Sequence, residues 1–327
     1  MSARTSRELS APRDALASRS ADDSRSVRRN RRKVRRGWFA TPYLFLLPYL
    51  VLFVGFVLIP AIYGFYISLH DWDYLLPHKP WVGFRNYADL FKSNSRDGAA
   101  FWQSMRATGL FVVFSVPFLV ACPLGIALML NRAFPGRTFF RAVFFAPYVL
   151  GVAVVGVLFR FVLDPNIGLV NFYLHKIGIH RAIPWTTDTP WVWISLITMT
   201  VWWTLGFNAV IYLAGLQDIP QEIYEAARVD GASSWDSFRY VTLPGLRPVL
   251  AFVFTVTLLA SANMFGQAFL VTQGGPGTST RTAIMYITQT SFQQYRQGAA
   301  AAMSYILAVA LILLSMLNFW VLRRRSA

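Results

Sequence analysis

Residues Thr108–Leu130 read TGLFVVFSVPFLVACPLGIALML, twenty-three positions without a single Asp, Glu, Lys, Arg or His. A bilayer hydrocarbon core of about 30 Å is crossed by roughly 20 apolar helical residues. This stretch is therefore long enough to span a membrane and far too apolar for the surface of a soluble domain. Five more stretches of similar length flank it: Tyr43–Leu69, Ala142–Leu163, Trp191–Leu216, Val249–Val271 and Ala299–Leu322. Only one charged side chain, Arg160, falls inside the six, three residues from its span's end, where it can snorkel to the interface. The expectation is an all-α integral membrane protein of six transmembrane helices. Phe101–Met105 and Thr282–Phe292 are candidates for additional interfacial or amphipathic helices.

The composition of the 327 residues agrees once the charge is located. Hydrophobic residues make up 55% and charged residues 14%, yet the formal net charge is +16. Soluble domains carry about a quarter charged residues. Twelve of the 31 Lys and Arg lie in residues 1–40, against four Asp and Glu. That segment reads as a disordered basic tail, and residues 41–327 as the membrane domain. A basic tail lacking interleaved aromatics suits anionic lipid, not nucleic acid. Its apolar neighbour Tyr43–Leu69 is too long for a signal peptide. Basic residues on the N-terminal tail, the second and fourth connections and the C-terminal tail number 21, against nine on the other connections, which places both termini in the cytoplasm. Without the tail the two faces carry nine each.

Several function classes are excluded or weakened. One cysteine, Cys122, permits no intrachain disulfide, and four scattered histidines give no metal-ligand spacing. None of the four lysines follows a glycine, so no phosphate-cradling GxxxxGK[ST] exists. No catalytic residue or resident cofactor is expected. The six stretches hold no Asp, Glu or His of the kind that relays protons or sodium in gradient-driven carriers. Energy must then come from another chain. The fourth and fifth spans do carry Trp202, Trp203, Thr204, Asn208, Ser261, Asn263 and Gln267. Amides in hydrocarbon must find partners, so these faces turn toward other helices or a water-filled path. Interhelical hydrogen bonds and contacts to a neutral, polyhydroxylated ligand both fit them.

The 31-residue connection 217–247 is longer than a simple link requires. It reads as helix, break, helix. Pro220 suits a first helical position, and Glu222 and Glu225 lie where the macrodipole favours acids. Gly231 suits a left-handed stop. Ser233 or Ser234 can cap a second helix running through Trp235, Phe238 and Val241 before Pro244. Ile223, Ala226 and Ala227 give an apolar, small-residue face.

Within it, Glu225-Ala226-Ala227-Arg228-Val229-Asp230-Gly231-Ala232, followed by Phe238 and Val241-Thr242-Leu243-Pro244, resembles the EAA loop of binding-protein-dependent ABC importer permeases. Trp81-Val82-Gly83-Phe84-Arg85-Asn86-Tyr87, Gly136-Arg137 with Phe140, Arg141, Phe144, Phe145 and Pro147, and Gly274-Gly275-Pro276-Gly277 resemble features of the sugar-type branch. The resemblance covers residues 40–325. It implies the type I importer permease fold in the bacterial plasma membrane. The partners it implies are a second, different permease, two ATPase subunits that hold ATP and Mg, and an extracytoplasmic solute-binding protein delivering a sugar. It implies that Glu225 is the charged contact to the ATPase, that Ala226 and Ala227 permit close approach and that Gly231 sets the turn. Asp230 would brace that turn, and Leu243 and Pro244 would complete the coupling surface. Sugar permeases line a midplane site from their last spans, which points to Trp202, Trp203, Asn208, Ser261, Asn263 and Gln267. The run Ala260–Met264 is less amide-rich than a maltose-type site. A phosphorylated polyol on the same scaffold, or a self-contained channel or secondary carrier, are the alternative readings.

Overall fold

The computed structural model describes residues 45–92 and 94–324, so the expected basic tail 1–40 lies outside them. The chain divides into two units, the first ending at Gly64 and the second beginning at Phe65. In the first, described from residue 45, the side chains are exposed almost throughout, and the helix passes through a π turn at Val54–Leu58. This helix, α1 (Phe45–Ser68), ends in the second unit.

Among the described residues the rest is helices joined by turns and loops, with two isolated β-bridges, His70 with Trp81 and Asp73 with Arg296. In chain order the helices are α2 (Arg85–Phe91), α3 (Arg96–Asn131), α4 (Arg137–Val149), α5 (Val152–Val162), α6 (Leu169–Lys176) and α7 (Trp191–Gln217). Then come α8 (Gln221–Val229), α9 (Ser234–Gly245), α10 (Arg247–Ala262), α11 (266–272), α12 (Ala283–Thr288), prolonged by a π turn to Gln293, and α13 (Gln297–Arg324). Among the described residues α1, α3, α7 and α13 are long and apolar enough to cross a membrane. Two further pairs qualify only when joined across a bend, α4 with α5 at 96° and α9 with α10 at 68°.

Three expectations are corrected here. The apolar run Ala142–Leu163 is not one straight span, because α4 stops at Val149 and α5 leaves at 96°. Pro147 withholds a donor from the last turn of α4, and Leu150 and Gly151 both adopt extended backbone. The run Val249–Val271 is likewise interrupted. Asn263 caps α10, its Nδ2 donating to the Leu259 carbonyl at 2.8 Å, and helix resumes at 266. Phe101–Met105 is no separate helix but part of the first turns of α3, which Ser95 caps by accepting from the Gly98 amide at 3.3 Å. At 1.5 Å per residue, the 36 residues of α3 run about 54 Å, well beyond a bilayer core. Thr282–Phe292 does form helix, and Met285 and Tyr286 are buried, so it serves the core more than an interface.

Small residues let the helices approach closely. A Cβ on Gly215 of α7 would lie 2.6 Å from the Val249 side chain of α10. Around this contact pack Ala209, Tyr212, Leu213, Leu246 and Val253, with Ala127 of α3. At the other end of α3, Asp97 is buried and paired bidentately with Arg296, at 2.9 Å to Nη1 and 2.7 Å to Nη2. Asn86, from the Trp81–Tyr87 segment, donates to the Ser68 and His70 carbonyls at 2.8 and 2.9 Å, fixing the end of α1. Thr280 holds the Gly274–Gly277 turn through the Gly275 carbonyl at 2.7 Å.

Candidate functional site

The bend between α4 and α5 and the break after α10 border, with α3 and α7, a cavity of about 340 Å³. Its size is within the range of about 300–1,000 Å³ usual for small-molecule sites. Phe111 and Leu119 come from α3, Tyr148 from α4, and Trp203, Thr204, Phe207 and Asn208 from α7. Thr257, Ser261, Asn263 and Gln267 complete it from α10, the break and α11. No Asp, Glu, Lys, Arg or His is among the lining residues. The wall is aromatic on one side. The Tyr148 ring stacks on Phe207, with centroids 4.5 Å apart and planes at 16°, and on Trp203 at 6.1 Å and 29°. Trp203 and Phe207 are four residues apart on α7 and so share a face.

Five of the six residues expected at a ligand site meet here: Trp203, Asn208, Ser261, Asn263 and Gln267. Trp202 does not. One position along an α-helix turns the side chain by about 100°, and Trp202 points away, exposed and packed against Phe159 with centroids 5.4 Å apart. The composition of α7, rich in Trp and Thr over several turns, could not separate the two tryptophans. Tyr148 and Phe207 carry no polar signal in an apolar run, and only the fold shows them as lining residues.

Most of the polar side chains are already engaged. Asn208 Nδ2 donates to the Leu119 carbonyl at 3.1 Å. Trp203 Nε1 donates to the Leu150 carbonyl at 2.9 Å. Ser115 donates to Ser261 Oγ at 3.4 Å. Asn263 closes its own helix, as above, and the Met264 carbonyl beyond it accepts from Thr282 Oγ1 at 2.8 Å. Gln267 is different, half-buried with its amide unbonded to any described residue.

The connection from α7 to α10 folds as helix, turn, helix. Pro220 is the residue before α8, in extended backbone, instead of its first helical residue. Gly231 has φ +80°. The amide of Ala232 donates to the Ala227 carbonyl at 2.9 Å and that of Gly231 to the Arg228 carbonyl at 3.1 Å. Those two bonds are the Schellman closure of a helix end, and the left-handed residue between them is best a glycine. Ser233 caps α9 in a reciprocal box with Asp236. These hydrogen bonds from Ser233, first from its hydroxyl and then from its amide, hold the exposed Asp236 carboxyl below the ordinary carboxylate range.

Helix α9 continues through a π turn at Phe238–Thr242 and past Pro244 to Gly245, further than the proline suggested. Proline is tolerated there because it sits in the first turn after the π turn, where its missing N–H leaves little unbonded. Tyr224 Oη and Thr242 Oγ1, 3.0 Å apart, tie α8 to that turn. Glu225, Ala226, Asp230 and Gly231 stand exposed, Ala227 and Pro244 half-buried, and Leu243 at the surface. Glu225 Oε1 accepts from Gln221 Nε2 at 3.0 Å. The carboxylate of Asp230 bonds to none of the described residues, so the turn is closed by backbone and not braced by that side chain. In the same connection Ile223, Val229, Trp235 and Tyr240 are exposed apolar side chains. From Asn208 to Gln217 the helix α7 runs about 14 Å, linking cavity and loop by one rigid element.

Residues 111–326 match the family described as binding-protein-dependent transport system inner membrane component. A probable ABC transporter permease protein, YurN of Bacillus subtilis, is 32% identical over 280 residues, covering 85% of this chain and 94% of that one. The lactose transport system permease protein LacF of Rhizobium radiobacter is 32% identical over 306 residues, covering 91% and 99%. Among solved structures, a bacterial alginate ABC transporter in complex with an alginate pentasaccharide-bound periplasmic protein has a chain of TM-score 0.76 and 26% identity, covering 90% of this chain and 96% of that one. With two thirds of its length matched by the family, and relatives similar over nearly their whole length, the chain belongs to the binding-protein-dependent ABC importer permeases.

Proposed function

We propose that this permease subunit passes an uncharged sugar or oligosaccharide, delivered by an extracytoplasmic solute-binding protein, across the bacterial plasma membrane. It does so beside a second, different permease subunit and above two ATPase subunits that bind ATP and Mg. The chain is not itself an enzyme, as its relatives are permease subunits. A reading of each bent pair as one span supports six spans, and the charge bias supports cytoplasmic termini. The observation that carries the reading is the cavity. It offers stacked aromatic rings, hydroxyls and a free amide, and no charged side chain. Sugar rings have apolar faces and many hydroxyls, which such a wall recognises, whereas a phosphorylated solute needs cations.

In this reading the loop between α7 and α10 meets the ATPase. Glu225 makes the charged contact, Ala226 and Ala227 allow close approach, and Asp230, Gly231, Leu243 and Pro244 shape the surface. Closure of the ATPase dimer moves α8 and α9, and α7 and α10 carry that motion to the cavity by alternating access. The test is uptake of radiolabelled neutral saccharides into proteoliposomes. The complete set of four proteins should accumulate one of them only with ATP and the loaded binding protein. Transport by this chain alone, without ATPase or binding protein, would establish a channel or carrier instead. Uptake of a phosphorylated polyol but of no neutral saccharide would favour the alternative cargo.

A further inference from the structure

We infer that Asn208 is a positioning residue, supplying to the Leu119 carbonyl the hydrogen bond that Pro123 removes and so holding α3 against α7 across the cavity. In an α-helix the carbonyl of Leu119 would accept from the amide four residues on. That residue is Pro123, which has no N–H and whose ring crowds the same carbonyl. Leu119 is 3% exposed, so water does not replace the lost donor. A carbonyl left bare in an apolar membrane interior is unfavourable, and a neighbouring helix must satisfy it. Asn208, itself 5% exposed, places Nδ2 3.1 Å from it.

The same arrangement recurs at the other two backbone interruptions around the cavity. The Leu150 carbonyl, at the 96° bend, accepts from Trp203, and the Met264 carbonyl, at the break after α10, accepts from Thr282. Each interruption is closed by a side chain from another helix or its cap. Two of these closing residues, Trp203 and Asn208, lie on α7, five positions apart. Asn208 thus belongs to the frame of the site, and its amide donor is engaged before any cargo arrives. This goes beyond the assignment of the cavity to a saccharide and does not depend on the cargo's identity.

The experiment is a double-mutant cycle on the purified importer complex, read by thermal unfolding and by ATP hydrolysis. Asn208→Leu should lower the unfolding midpoint by roughly 2–4 °C. Pro123→Ala restores a helical N–H to Leu119, and in the Asn208→Leu background it should recover at least half of that loss. Pro117→Ala is the control, because it restores a donor to a different carbonyl and should recover none. Maximal ATP turnover should follow the same order, with KM for ATP unchanged throughout. An Asn208→Leu complex with an unaltered midpoint would overturn the inference. So would a loss that Pro123→Ala does not relieve, or one that Pro117→Ala relieves equally.

Discussion

Gly206 of α7 lies directly against the backbone of Phe144 in α4: a Cβ at position 206 would come within 2.1 Å of the Phe144 carbonyl oxygen and 2.6 Å of the Phe145 Cα. No rotamer change relieves a clash with backbone. The contact presses α4 onto α7 at the level where Tyr148 reaches the cavity.

Gly206→Ala should therefore destabilise the fold by at least the 1–3 kcal/mol of ordinary overpacking, about 1–3 kcal/mol being the cost where side chains can still yield. The expected outcome is a marked drop in the amount of chain recovered in the assembled complex. Recovery at the unsubstituted level, with an unchanged unfolding midpoint, would show that α4 is free to move away.

Tyr148 and Trp202 should behave differently. Tyr148→Ala removes the ring stacked on Phe207 and should raise the half-saturation concentration for the transported saccharide about 2- to 10-fold, as expected from a stack worth about 0.5–1.5 kcal/mol. Trp202→Ala, outside the cavity and packed on Phe159, should leave it within about 2-fold, the effect of a contact outside the site. Uptake titrations on the complete complex decide this, and equal effects at both positions would remove the aromatic wall from the site.

At the loop, Gly231→Val places a β-branched residue at φ +80°, a strain of about 1–2 kcal/mol. The Schellman closure should open and tilt α8 relative to α9, while the membrane helices remain packed. Chain abundance in membranes should be unchanged and ATP-driven uptake should fall at least about tenfold, the factor corresponding to 1.4 kcal/mol of lost coupling. Full uptake would show that the turn geometry is irrelevant to coupling.

The start of α9 should be acid-sensitive. Asp236 has a folded-state pKa below its ordinary value of 3.8, through the Ser233 side chain and then the Ser233 amide. A depressed acid stabilises the fold when ionised. Its contribution is therefore complete above about pH 3.8 and is lost as the pH falls through the lower folded value. Amide exchange at Ser233 and Asp236, corrected for intrinsic pH dependence, should quicken only below that point. Ser233→Ala should quicken it at every pH, and exchange indifferent to both changes would mean that the capping box does not hold in the membrane-bound chain.

Much of the architecture was legible in the order of residues. An α-helix satisfies its own backbone in hydrocarbon, so the long apolar runs located four of the candidate membrane helices and the two bent pairs. Gly231 followed by Ser233 and Ser234 dictated a stop and a new start, because those residue types satisfy helix ends locally. The Glu225–Ala232 pattern pointed to the family. Local chemistry decides such features, and local chemistry is written along the chain.

What tertiary structure alone decided were the breaks and the partners. Hydropathy does not distinguish a straight span from two helices at 96°: Pro147 and Gly151 stand in the apolar run, but the partner that takes the Leu150 carbonyl at the bend, Trp203, lies 53 residues further on. Trp202 and Trp203 are indistinguishable in composition, and the packing of α7 on α4 turns one inward and the other out. In sequence Asn208 fits an interhelical hydrogen bond and a contact to cargo equally well. In the fold it meets the carbonyl that Pro123 leaves bare, because an unsatisfied backbone group in a membrane must find its partner in space, wherever the chain supplies one.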